Sequence, residues 1–114
     1  METPPDSAAL RTAYDALIDA AVPDLPPQAL AEVFDRLVWC LDDNGTSLAE
    51  AQRGWMKGSD VRRIEIALCM SEACPFSTAE ELREMLEDIA ARRPLLAKLC
   101  QHYADNFMPV LNRR

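Results

Sequence analysis

One histidine, three glycines and no long apolar run narrow what this chain can do before any motif is sought. The glycines, at positions 45, 54 and 58, do not form a phosphate-cradling loop, and neither G-x-S-x-G nor H-E-x-x-H occurs. His102 has Cys100 as its nearest thiol in sequence. Residues two apart on a helix lie roughly 200° apart around the axis, so a nucleophile–base dyad from this pair is physically poor. The longest run of large apolar residues, Leu37 to Leu41, is far too short to span a bilayer. The opening stretch Met1-Glu2-Thr3-Pro4-Pro5-Asp6 lacks the basic and apolar regions of a signal peptide, so a cytoplasmic location is expected. No segment alternates with period two, which argues against strands.

The four cysteines, Cys40, Cys69, Cys74 and Cys100, do not form a loop-rich disulfide framework. Three fall inside apolar helical patterns, where a thiol behaves as a small hydrophobe. Cys69 and Cys74 are separated by a helix end and lack the tight C-x-x-C spacing of a structural zinc knuckle. Asp42-Asp43-Asn44-Gly45 fails the spacing of a calcium loop, which needs glycine sixth and glutamate twelfth, and reads as a turn. No catalytic residue, metal or cofactor is therefore expected.

What is present is a domain's worth of helix. With 114 residues and 49% apolar composition, the chain has enough for one modest core and is too hydrophobic to be natively disordered. The fold class expected is all-α, a compact bundle or orthogonal array of five to six short helices. Residues 1–6 read as a disordered tail, 7–108 as one helical domain and 109–114 as a frayed end.

The first helix is capped near Asp6 or Ser7 and runs to about Ala21, with Leu10, Ala13, Tyr14, Leu17, Ile18 and Ala21 forming its apolar stripe. Pro23, Pro26 and Pro27 separate it from a second helix ending near Asp42, whose core face is Leu30, Val33, Phe34, Leu37, Val38 and Leu41. Ser47-Leu48-Ala49-Glu50 matches a capping box and opens a third helix. A fourth, starting near Ser59 and apolar nearly all round, is expected to be central. Overlapping capping boxes at Ser77–Glu80 and Thr78–Glu81 open a fifth, along which Leu82, Met85, Leu86 and Ile89 form the stripe. Pro94 starts a sixth, with Leu95, Leu96, Leu99, Cys100, Tyr103 and Phe107 inward.

Function has to be sought on the surface. The net charge is −7, and residues 1–50 alone carry a balance of −8 against +1 for the remainder. Such a chain repels phosphate backbones, so nucleic acid is disfavoured and a basic protein partner is favoured. Arg53, Lys57, Arg62 and Arg63 form the one basic cluster, bracketing a possible helix–turn–helix; in a chain this acidic they are expected to balance neighbouring acids on helix ends rather than to meet phosphate. Glu80, Glu81, Glu84, Glu87 and Asp88 give the fifth helix an acidic outer face, which is ordinary solvation or a docking surface.

The second helix is less ordinary. At about 100° per residue, Trp39 falls nearly opposite its core stripe, on the face that carries Glu32, Asp35, Asp42 and Asp43. Two outcomes follow. Another segment covers Trp39, such as the third-to-fourth helix region around Trp55, or Trp39 stands exposed as a partner anchor ringed by carboxylates. The second outcome describes a non-catalytic acidic binding module. An immunity- or antitoxin-type inhibitor of a basic toxin fits it by composition and architecture, with Trp39, Asp35, Asp42, Asp43 and Glu32 as the contacts. A small DNA-binding regulator using the basic cluster is the alternative, followed by a metal- or thiol-based sensor.

Overall fold

The computed structural model describes residues 7–43 and 45–113, and the expected N-terminal tail lies outside them. Among the described residues there are six α-helices, one 3-10 turn and no strand. The helices are α1 (Ser7–Ala20), α2 (Pro27–Cys40), α3 (Thr46–Lys57), α4 (Val61–Cys69), α5 (Ala79–Arg92) and α6 (Ala97–Leu111), with the turn Pro94–Leu96 leading into α6. None is long and apolar enough to cross a membrane.

As expected from its apolar surface, α4 is the hub and packs on α2, α3 and α6, burying Ile64, Ile66, Ala67 and Leu68. To its sides, α1 leans on α3, and α5 pairs with α6. The array is flattened, with extents of 43 × 38 × 19 Å. Phe34 of α2 is fully buried, its ring 5.8 Å from that of Tyr14 and 5.3 Å from that of Trp55. This aromatic trio ties α1, α2 and α3 together, and such pairs add about 1 kcal/mol each beyond the area they bury.

Two arginines lock the periphery. Arg63 reaches back from α4 to α1, pairing with Asp15 at 2.9 Å and Asp19 at 3.0 Å, and also with Asp60 at 2.6 Å. Arg92, at the end of α5, donates to the carbonyls of Met56 and Gly58, both at 2.8 Å, and so satisfies groups that the C-terminus of α3 leaves without helical partners. Inside, the fully buried Gln52 donates to the Ala67 carbonyl at 2.9 Å and the Tyr103 hydroxyl at 3.2 Å.

Several helix ends and stripes differ from the sequence expectation. Ser47 does not cap α3: it is the second residue of the helix and buried, and its hydroxyl shares a 2.7 Å hydrogen bond with Tyr14. The fourth helix is capped by Asp60, one residue beyond the expected start, through the Arg62 N–H, whereas the fifth is capped as one of its two expected boxes has it, Thr78 accepting the N–H of Glu81. Leu95 is 99% exposed because it belongs to the 3-10 turn, whose register sends Leu96 inward. Ala13, Leu17 and Val33 are also exposed, lying at the edges of stripes centred on Tyr14 and Ile18 in α1 and on Leu30 and Phe34 in α2. The helical part continues past residue 108, since α6 runs through Pro109 to a buried Leu111.

Candidate functional site: the Trp39 face

Trp39 is 78% exposed, and no segment covers it among the described residues. Trp55, the other indole, is 7% exposed and occupied elsewhere: it packs on Phe34 and donates from Nε1 to Asp15 at 3.0 Å. The reason lies in α2 itself. Leu30, Ala31 and Phe34 are buried on one side, which leaves position 39 on the far side of the cylinder.

Around the indole is a depression of about 250 Å³, lined by Glu32, Asp35, Arg36, Trp39 and Glu72. Two of the expected residues, Glu32 and Asp35, are therefore brought to Trp39. Asp42 is exposed just beyond the C-terminus of α2 and does not line the depression. Glu72 was not legible as a site residue, because it comes from the α4–α5 connection, more than thirty positions away in sequence.

The carboxylates differ in what they do. Asp35 accepts the backbone N–H groups of Ser71 and Glu72, each at 3.0 Å, and the Ser71 hydroxyl at 3.1 Å. It is a clasp that fixes the α4–α5 connection against α2. Asp43 belongs to the turn before α3 and accepts the N–H groups of Gly45 at 3.0 Å and Ser47 at 3.1 Å. The Ser47 side chain first, then the backbone N–H groups of Ser47 and Gly45, hold its carboxyl below the ordinary carboxylate range. It fixes the start of α3 and does not line the depression at Trp39. Gly45 completes this turn with φ +79°, where a Cβ would be strained and would meet Val38 at 3.2 Å.

A second cavity, of about 500 Å³, lies between α3 and residues 72–77. Val38, Ala49 and Pro75 give it apolar wall, with Glu50, Arg53 and Glu72 at its polar margins, while Ala73 and Phe76 are buried. Glu72 thus stands between the two hollows and lines both.

The three arginines of the basic cluster are engaged internally, whereas Lys57 is exposed at the end of α3. Arg53 donates to the Pro75 carbonyl at 3.3 Å and pairs with Glu81 at 3.5 Å. Arg62 donates to the Val22 carbonyl at 3.0 Å, and Arg63 holds the three aspartates described above. On α5, Asp88 pairs with Arg92 at 2.9 Å, while Glu80, Glu84 and Glu87 are exposed.

The cysteines are all free thiols. Cys100 is buried, whereas His102 is exposed beside Asn106. Burial pushes the Cys69 and Cys100 thiols up, away from the nucleophilic thiolate. Among the described residues no three His, Cys, Asp or Glu side chains are grouped so as to hold a metal ion. Compared with known protein families, curated proteins and solved structures, the chain matches none.

Proposed function

We propose that the chain is a non-catalytic acidic binding module, and within that class an immunity- or antitoxin-type inhibitor that masks a basic toxin or enzyme. The observation that carries this reading is the 78% exposure of Trp39 beside Glu32, Asp35 and Glu72 in a chain of net charge −7. A large exposed indole is costly in water and valuable at an interface, where tryptophan is enriched among the residues that dominate binding energy. The surrounding carboxylates would steer a cationic surface toward it and disfavour anionic competitors. Inhibition would follow from occlusion, with the indole as anchor and the charge field setting association rate and specificity. The internal bonds of Arg53, Arg62 and Arg63 weigh against the regulator reading, since these side chains would have to leave carbonyl and carboxylate partners to meet phosphate.

The test is co-expression with the product of the adjacent gene. That product alone is expected to arrest growth, the wild-type chain to restore it, and Trp39→Ala to lose most of the protection while accumulating as a folded protein. A harmless neighbour, or full protection by the Trp39→Ala chain, would overturn the reading.

A further inference from the structure

The Trp39 depression and the 500 Å³ cavity meet at Glu72, which forms part of both walls. A segment crossing that shared wall would run along a stepped groove from the outer face of α2, past the α4–α5 connection, to the flank of α3. Its two ends differ in chemistry. At the first, an exposed indole stands with Glu32, Asp35 and Glu72 against one cation, Arg36. At the second, Val38, Ala49 and Pro75 supply apolar wall among the polar Thr46, Glu50, Arg53 and Ser77, while Ala73 and Phe76 are buried. Arg53 there is already directed at the Pro75 carbonyl and Glu81, and its guanidinium lies 5.8 Å from the centre of the Phe76 ring.

Resting on the binding-module reading, we infer that the groove takes an extended basic segment of the partner. One arginine or lysine of that segment lies against Trp39 and Glu72, and the apolar residues that follow it enter the cavity beside Phe76. Three considerations favour this occupant. A cation over an indole gains from the ring's negative face, and it gains more where carboxylates flank the ring. A cavity of about 500 Å³ is within the range of small-ligand sites and accommodates one or two side chains rather than a flat protein surface. The Asp35 clasp holds the Ser71–Glu72 backbone in place, so the step between the two hollows is preformed, and binding is spared the entropy of ordering it.

The probe is a blocked five-residue peptide, glycine-arginine-leucine-valine-glycine, titrated into the ¹⁵N-labelled full chain at low salt. Its control carries glycine in place of leucine and valine and has the same charge. The Trp39 indole N–H and the amides of Glu72, Ala73, Cys74 and Phe76 are expected to shift together along one saturating curve. The control is expected to bind at least about tenfold more weakly, the low end of what a single methylene is worth in an apolar pocket. Glu72→Gln should weaken the first peptide severalfold while leaving the rest of the spectrum in place. Equal affinity for the two peptides, with shifts confined to Trp39, would overturn the groove. So would the absence of saturable shifts at either end. Neither result touches the binding-module reading, which fails separately if the Trp39→Ala chain protects fully in co-expression.

Discussion

The carboxylate of Asp35 accepts the backbone N–H of Glu72 at 3.0 Å, and both residues line the depression at Trp39. One acid is therefore the reason another is in place. Asp35 is half-buried and already holds three donors, so its main contribution is geometric, whereas the side chain of Glu72 is exposed. Asp35→Ala should cost about 1–2 kcal/mol, the scale of losing a charged acceptor that satisfies backbone N–H groups. Amide exchange at Ser71 and Glu72 should quicken in the same variant. Glu72→Ala should change stability by less than about 0.5 kcal/mol, as for other exposed side chains with no structural task. Urea titration and hydrogen exchange check both. Unchanged exchange at Ser71 and Glu72 in Asp35→Ala would show that the clasp does not hold the connection.

Asp43 makes stability depend on acid in a direction that can be stated. Hydrogen bonds from Ser47 and Gly45 lower its folded-state pKa below the unfolded value. Its contribution is therefore fully present above the unfolded pKa of about 4 and is lost as pH falls through the lower folded pKa. Asp43→Asn keeps a capping acceptor but cannot ionise, so it isolates the charge. Wild type should be the more stable of the two at neutral pH, and the gap should close between about pH 5 and pH 2. Urea midpoints measured across that range decide the matter, since a gap that stays constant with pH would assign the difference to shape rather than ionisation.

Helix periodicity was enough to foretell an all-α array of five to six helices, the central place of α4 and the outward side of α2 that carries Trp39, because each follows from spacing along one segment. What depended on contacts between segments was not legible. Ser47 fits a capping box by local pattern, yet a buried hydroxyl partner on α1, Tyr14, claims it, and Asp43 takes over the cap. Leu95 fits the stripe of the sixth helix only if that helix starts at Pro94. A 3-10 turn there shifts the register, so Leu95 faces out while Leu96 keeps its expected place in the core. At the site, Glu32 and Asp35 could be placed beside Trp39 from the helix repeat alone. Glu72 could not, since its position depends on the α4–α5 connection folding back onto Asp35. The basic cluster could be expected to balance nearby acids, and Arg63 does so, but no local pattern reveals that its partners Asp15 and Asp19 lie on α1.

The two tryptophans should report opposite environments, and their response to charged quenchers should reveal the field at the site. With Trp55→Phe, emission comes from Trp39, which at 78% exposure should be red-shifted and readily quenched by neutral acrylamide. With Trp39→Phe, emission comes from Trp55, which is 7% exposed and donates to Asp15, and should resist quenching. Ionic quenchers add the sign of the potential. Glu32, Asp35 and Glu72 outnumber Arg36 around Trp39, so caesium should be concentrated there and iodide repelled. Relative to acrylamide, caesium should therefore quench Trp39 more strongly than iodide does. That preference should shrink as added salt shortens the screening length from about 30 Å at 0.01 M to about 8 Å at 0.15 M. Glu72→Gln and Glu32→Gln should each reduce it in part. With each ion referred to its quenching of a free, uncharged tryptophan derivative, stronger quenching by iodide than by caesium would mean that Arg36 sets the local potential. Steering of a cationic partner to Trp39 would then lose its physical basis even though the indole is exposed.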